Sequence, residues 1–461
     1  MLPLSQLRPT GAELREMVRL AWPVVLAQVG VMMLGVVDAA MVGRVGPDAV
    51  AAAALAHLYW VNVTVPGIGV LLVLDPVVAQ AVGAGDTVGV ARGVQRGVIL
   101  ALLISIPATL VLLPGELFFS TLRQPESISP LAASFARWTA WSMVPFFLFV
   151  AFRQSLQAMG KTRAIVISIV FGNLLNLVLN WMLIYGHLGA PKLGVLGSAI
   201  STVIGRWVMI FVLFWLGRRE LIPALRPWLP ESWNPRPLLR MFAVGAPVAF
   251  QQWLEVAVFA AGAVAIGWIG VTELAAHEIA ITLAALTFMV PMGVAAAAAA
   301  MVGRAIGRRD IAAARRDSVA AIGVGLGFMS ISAIAFLVVP AALAGIFLTD
   351  PSTVRIAASL IVIAGFFQIF DGIQCVCSGI LRGAADTRVP MLLHLGGFWG
   401  LGAPLGLYLA FPAGLGARGV WLAFAISLFV VAAAQLMRVR WRLSRDIERL
   451  RIEDSSEFAA R

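Results

Sequence analysis

The sequence predicts an all-α integral membrane protein, with about twelve transmembrane helices in two six-helix bundles related by a pseudo-two-fold along the membrane normal. Three observations carry that expectation. Of the 461 residues, 61% are hydrophobic and only 12% charged, against about 25% charged in ordinary soluble domains. Apolar stretches near the ~20 residues that cross a hydrocarbon core recur along the whole length. The first half of the chain also echoes in the second. A chain this poor in charge cannot coat itself with water, so lipid must act as its solvent. The pattern lacks the short alternating strands of a β-barrel.

Taken in order, the apolar spans fall at 17–41, 50–80, 91–118, 130–158, 163–186 and 194–217. The second series falls at 236–267, 274–303, 312–344, 352–381, 387–410 and 417–440. This divides the chain into an N-terminal lobe at 1–216, a cytoplasmic linker at 217–240, a C-terminal lobe at 241–443 and a tail at 444–461. The net charge of +11 could suit a nucleic-acid partner, but the basic residues are dispersed. With the N-terminus inside, they gather in alternate loops: Arg8, Arg15 and Arg19, then Arg92 and Arg96, then Arg153, Lys161 and Arg163. The series continues through the linker, through Arg304 to Arg316, through Arg382 and Arg388, and into the tail from Arg438. The opposite loops hold Arg44, Arg123, Lys192, Arg355 and Arg418. That bias places both termini in the cytoplasm of a multi-pass inner-membrane protein and removes the need for a nucleic-acid partner. Residues 1–19 lack the apolar core of a cleaved leader, so none is expected. Cys375 and Cys377 face different sides of one helix, which suits packing rather than a disulfide or metal.

The repeat is nearly free of gaps over its first part. Pro23 and Pro247 stand 224 positions apart, and the same offset pairs Gln28 with Gln252, Gly43 with Gly267, Asp86 with Asp310 and Arg92 with Arg316. Farther on, Leu156–Arg163 echoes Leu381–Arg388. Six helices per repeat give both copies the same orientation, and two parallel bundles joined by a linker can rock about a central cavity.

Ionisable groups at helix-centre depth cost at least about 2.5 kcal/mol on insertion scales, so each needs a reason. Asp38 lies late in the first span, Glu255 in the seventh and Asp371 in the tenth. The repeat is asymmetric here, for Val31 stands opposite Glu255 and Gly262 opposite Asp38. No basic residue shares the centres of these helices, so the carboxylates are expected to bind a proton or a cation. Asn173, Asn176 and Asn180 share one helical face, expected toward Asp38 or a cavity. Phe259, Phe288, Met292 and Phe367 offer soft walls for flat organic cations, with Trp253, Met289, Phe366 and Phe370 nearby. Asp75, next to Pro76, is expected to reach water at the cytoplasmic end of the second span. His277 and Glu278 are expected at the start of the eighth, near the external surface.

Segments of this sequence resemble the multidrug and toxic compound extrusion (MATE) family, in its NorM-like branch. They include Asp38-Ala-Ala-Met-Val-Gly-Arg44, Val78-Val-Ala-Gln-Ala-Val-Gly-Ala-Gly85 and Ala275-Ala-His-Glu-Ile-Ala280. Val290-Pro-Met-Gly293 and Leu381-Arg-Gly-Ala-Ala-Asp-Thr-Arg-Val-Pro-Met391 continue the likeness. The resemblance implies export of small organic cations against Na⁺ or H⁺, with no cofactor. It implies that Glu255 and Asp371 hold the coupling ion, as metal ligands if that ion is Na⁺. Asp38, Asn176 and Asn180 would form a polar cluster in the other lobe. Phe367 stands where the branch often has Tyr, which removes one oxygen ligand; Glu278 replaces an amide, and Asp75 is an extra carboxylate. A single chain is expected to be the working unit.

Two other classes fit less well. A lipid-linked oligosaccharide flippase would line its cavity with Arg, yet only Arg206 and Arg137 lie deep in this sequence. An intramembrane enzyme would need clustered metal ligands or a nucleophile with its base. The four histidines, His57, His187, His277 and His394, are scattered over different segments.

Overall fold

A computed structural model of the chain describes residues 9–121, 125, 127–347, 350–450 and 452–453. Arg8, Arg123 and the tail beyond 453 lie outside the described residues. The first six spans are α1 (Gly11–Gly43), α2 (Pro47–Gly83), α3 (Thr87–Leu112), α4 (Ser129–Ala140 with Met143–Ala158), α5 (Arg163–Tyr185) and α6 (Val195–Leu216). The second six are α7 (Pro235–Gly267), α8 (Val271–Gly307), α9 (Ile311–Val338), α10 (Pro351–Gly383), α11 (Arg388–Ala410) and α12 (Ala417–Leu443). Among the described residues, eleven helices are long and apolar enough to cross a membrane, or twelve when the halves of α4, bent by 52°, count as one span. No strand occurs among the described residues.

Prolines explain where the helices depart from the apolar pattern. A proline cannot donate to the carbonyl four residues earlier, and its ring crowds that carbonyl. In α2, Pro76 leaves Leu72 unserved, the helix breaks at Leu72–Val73, and the Asp75 amide takes the Leu72 carbonyl instead at 3.1 Å. In α4, Pro145 does the same to Trp141 at the 52° bend. The expected spans 91–118 and 312–344 both overran: α3 stops at Leu112 before Pro114, and α9 at Val338 before Pro340. Hydropathy continues through these stops because the next short helices, Gly115–Thr121 and Pro340–Gly345, are apolar too.

Matching repeat residues take matching local roles. Asp86 caps α3 by accepting from the Gly89 amide at 2.7 Å, and Asp310 caps α9 by accepting from Ala313 at 2.8 Å. Each follows a residue in the left-handed region, Gly85 at φ 69° and Arg309 at φ 59°.

The described residues divide into two compact units. One takes those of Met1–Val25 and Phe250–Leu450, the other those of Leu26–Ala249 and Arg451–Arg461. Both divisions fall inside helices, α1 and α7, two residues past Pro23 and Pro247. The first unit packs Met17 and Ala21 of α1 with Ala297 and Met301 of α8 and Val376 and Ile380 of α10. A second core of the same unit joins Ile266, Leu360, Phe367, Phe398, Trp421 and Phe424. Within it, α8 and α10 approach through small residues: a Cβ on Gly379 would lie 2.3 Å from the Ala295 carbonyl oxygen. In the other unit, a Cβ on Gly69 would lie 2.3 Å from the Ala249 backbone. Close backbone approach of this kind is how helices associate when lipid removes the hydrophobic drive between them. Large apolar side chains such as Leu110, Phe211 and Ile331 are more than 60% exposed, which suits a surface facing acyl chains.

Candidate functional site

In the Leu26–Ala249 unit, Asp38 comes from α1 and meets polar groups of α5 and α6. Asn180 Nδ2 donates to Asp38 Oδ1 at 2.5 Å, and Thr202 Oγ1 donates to Oδ2 at 3.4 Å. Asn180 Nδ2 also reaches Asn176 Oδ1 at 2.9 Å. Asn173, one turn earlier, instead donates to the Gly30 carbonyl at 2.7 Å. The i, i+3, i+7 spacing therefore does put three amides on the face toward α1, with Asn180 bonded to the carboxylate and Asn176 also within its reach. Asn173 Oδ1 and Asn180 Oδ1 have no hydrogen-bond partner among the described residues. Buried amides left half-served are costly, so this pocket of α5 has polar capacity for something that is not protein.

Thr202, which the sequence reading passed over, lies one turn before Arg206 on α6. The Arg206 guanidinium lies 4.1 Å from the Trp60 ring centroid and 5.1 Å from that of Phe146, and donates to Ser142 Oγ at 2.6 Å. Its positive field reaches Asp38. The centre of α1 itself carries no basic residue; the cation near Asp38 comes from a helix five spans away. The break in α4 makes the arrangement possible, since it turns Ser142 toward the guanidinium. Arg137, the other Arg considered deep, is a half-exposed surface group paired with Glu116 at 2.9 Å.

Asp75 is a second correction. It does not reach water but is 1% exposed, and Gln154 Nε2 donates to its Oδ1 at 3.0 Å. The helix break three residues before it turns the carboxylate inward toward α4, where Arg153 interacts with it electrostatically.

The Phe250–Leu450 unit brings Glu255 of α7 and Asp371 of α10 together. Gln374 Nε2 donates to Glu255 Oε1 at 3.1 Å and to Asp371 Oδ1 at 3.2 Å. One amide thus bridges the two acids, with Asp371 6% exposed and the Glu255 side chain 20%. An imidazole also stands beside Glu255, with His394 Nε2 3.8 Å from Oε2. His394 and Gln374 do not stand out in the sequence, where the four histidines are scattered over different segments and Gln374 carries no charge. The available signal was a polar face on α10: Asp371, Gln374 and Ser378 at i, i+3 and i+7. Just after His394, residues Leu395–Gly402 form a π-helical segment, a feature common at functional sites. From it, Trp399 Nε1 donates to the Leu254 carbonyl at 3.1 Å, beside Glu255.

The aromatic candidates separate. Phe367 is 1% exposed and packs edge-on against Phe259 and Trp421, at centroid distances of 6.0 and 5.5 Å. Expected on a cavity wall, it belongs instead to the core of its lobe, while Phe259 is half-buried and packs against that core. Phe288 and Met292 are half-buried on α8, while Phe366 is 55% exposed. His277 is corrected too: α8 begins earlier than expected, at Val271, so this residue is 2% exposed and accepts the Trp421 indole proton at 3.1 Å. Glu278, next to it, is exposed.

The MatE family model matches residues 23–182 and again residues 247–408. The chain belongs to the MatE family. The two matches start at the same offset as Pro23 and Pro247, so the internal repeat is the family unit taken twice. Among relatives of this MatE chain, the multidrug resistance protein NorM of Burkholderia vietnamiensis is 39% identical, over 92% of this chain and 93% of that one. A probable multidrug resistance protein NorM of Bradyrhizobium diazoefficiens is 36% identical, over 93% of each chain. In fold, the chain is similar to a multidrug resistance MATE family transporter in an outward-facing conformation, with TM-score 0.84 and 21% identity over 96% of this chain and 98% of that one. A eukaryotic MATE transporter matches with TM-score 0.83 and 20% identity, over 94% and 99% of the two chains.

Proposed function

We propose that this MatE member is a multidrug-efflux antiporter of the bacterial inner membrane, exporting small organic cations in exchange for Na⁺ or H⁺ taken up at Glu255 and Asp371. The single observation that carries the coupling role is the pair of carboxylates bridged by Gln374 Nε2 at 3.1 and 3.2 Å. Two acids on one amide repel each other and are poorly solvated, so a monovalent cation or proton relieves both penalties at once. With Phe367 supplying no oxygen, a Na⁺ ion here would rest on carboxylate oxygens and water. A proton would need only the carboxylates.

The ion can drive export only through different affinities for the inward- and outward-facing states. Carboxylates whose hydration changes between those states supply that difference. On this reading, Asp38 with Asn176, Asn180 and Thr202 forms a polar station for the organic cation. Phe288 and Met292 are the soft contacts, and Asn173 braces α5 on α1. The chain works as a monomer with both termini cytoplasmic, as the loop charges favour.

The test uses purified protein in liposomes loaded with ethidium, under an imposed Na⁺ gradient and, separately, an imposed pH gradient. Asp371→Asn should abolish gradient-driven ethidium flux while the protein still inserts. Wild-type flux by that variant would remove Asp371 from coupling.

A further inference from the structure

The buried network behind the two carboxylates runs in one direction. Gln251 Nε2 donates to Ser378 Oγ at 3.1 Å, and Ser378 donates to Gln435 Oε1 at 3.1 Å. Gln435 Nε2 lies 3.2 Å from His394 Nδ1, and His394 Nε2 lies 3.0 Å from Gln374 Oε1. Gln374 Nε2 then serves Glu255 and Asp371. These links join α7, α10, α11 and α12, and His394 and Gln435 at their centre are 0% exposed.

The chemistry of the last link decides the roles. Both carboxylates accept, so the Gln374 amide must turn its NH₂ toward them. Its oxygen then faces the ring, so Nε2 of His394 must be the nitrogen that carries hydrogen. Nδ1 is left to accept from Gln435 at 3.2 Å, with the Pro390 carbonyl 2.9 Å away, and Gln251 Nε2 lies 3.4 Å from Nε2. In the other tautomer Nδ1 would donate to the Pro390 carbonyl, 2.9 Å away. Nε2 would then meet the Gln374 oxygen lone pair to lone pair, unless the amide turned and withdrew its NH₂ from both acids. The ring tautomer and the amide orientation are therefore locked together.

We propose that His394 is the positioning residue of the coupling site, whose Nε2–H holds the Gln374 amide so that Glu255 and Asp371 stay in register for the incoming cation. This rests on the reading of those two acids as the coupling site and adds a third helix, α11, to it. His394 acts through Gln374. Partners behind a ligand shell commonly change ion affinity by about 10- to 100-fold when removed.

The experiment compares two amides of different reach in the full chain in liposomes. His394→Gln carries an NH₂ near the place of Nε2, and His394→Asn carries one near the place of Nδ1. Ethidium flux is measured against external Na⁺ at fixed pH, and against external pH without Na⁺. In whichever series drives the wild type, His394→Asn should raise the half-saturating ion concentration about tenfold with little change in maximal flux. His394→Gln should stay within about threefold of wild type, and adding Gln374→Leu to His394→Asn should produce no further loss, as expected for residues acting through one path. The reverse order of the two variants, equal effects of both, or additive loss with Gln374→Leu would overturn the proposal. Glu255→Gln and Asp371→Asn run alongside. Normal flux in those controls overturns the underlying site, whereas their failure beside a normal His394→Asn overturns only the role of His394.

Discussion

A carboxylate inside a membrane protein is defined by its neighbours more than by its position in the chain. Asp75 shows this for stability. It is 1% exposed, takes a hydrogen bond from Gln154 and interacts with Arg153. Removing one member of a buried pair leaves an uncompensated charge, which costs about 3 kcal/mol or more. Asp75→Leu should therefore lower the thermal midpoint in detergent, and adding Arg153→Met should recover much of it. No recovery would mean that Arg153 is not its electrostatic partner. Asp350, outside the spans, offers a pH-dependent counterpart. Hydrogen bonds from Ser352 and Thr353 hold its carboxyl at about 2, below the ~3.9 of a free aspartate. A depressed value means that the cap contributes fully above about pH 4 and is lost as pH falls through about 2. At pH 5, Asp350→Ala should speed hydrogen exchange in the peptide beginning at Pro351, and unchanged exchange would refute the cap. At this scale the sequence exposed Asp38, Glu255 and Asp371, because charge in an apolar run is conspicuous. It hid Gln374 and His394, and the nearness of Arg206 to Asp38, because these depend on contacts made across helices.

At the scale of the helix, the apolar runs were legible to within a few residues, yet their breaks were not. Pro66 and Pro107 sit within continuous helix, whereas Pro76 and Pro145 coincide with breaks. Whether proline breaks a helix depends on what else can serve the freed carbonyl, and that is a property of neighbours. Glycine is similar: 44 glycines dilute any single signal, but Gly379 and Gly383 stand one turn apart against Ala295 and Ala299. A side chain at Gly379 meets the Ala295 backbone, which cannot move without displacing α8. Gly379→Leu should cost at least about 1–3 kcal/mol by overpacking, read as loss of folded protein on detergent extraction. Gly396, whose Cβ would meet nothing within 4 Å, should accept Ala with little change. Equal tolerance at both positions would show that α8 and α10 do not need their close approach.

Across the whole chain, duplication supplied two similar frames, and substitution made their chemistry unlike. In the Leu26–Ala249 unit, besides the Asp75 that Gln154 holds, Asp38 lies within the field of Arg206. The Phe250–Leu450 unit brings two acids together, Glu255 and Asp371, sharing a glutamine and backed by an imidazole. The charge count differs accordingly. An acid within the field of a guanidinium gains less by taking up a further small cation, though its amides can orient a larger organic one. Two adjacent acids without a fixed Lys or Arg partner gain more from a small cation, since it relieves both desolvation and mutual repulsion. Labour should thus divide between the units, with the drug dependent on the first and the coupling ion on the second. In liposomes, Asp38→Asn should raise the half-saturating ethidium concentration several-fold, about 1 kcal/mol of lost binding, and leave the half-saturating ion concentration close to wild type. Glu255→Gln should do the opposite, weakening the ion response while ethidium binding without a gradient persists. If Asp38→Asn shifted the ion dependence and spared the drug, the guanidinium's field would not be weakening that acid's hold on the ion, and the two halves would share the ion after all.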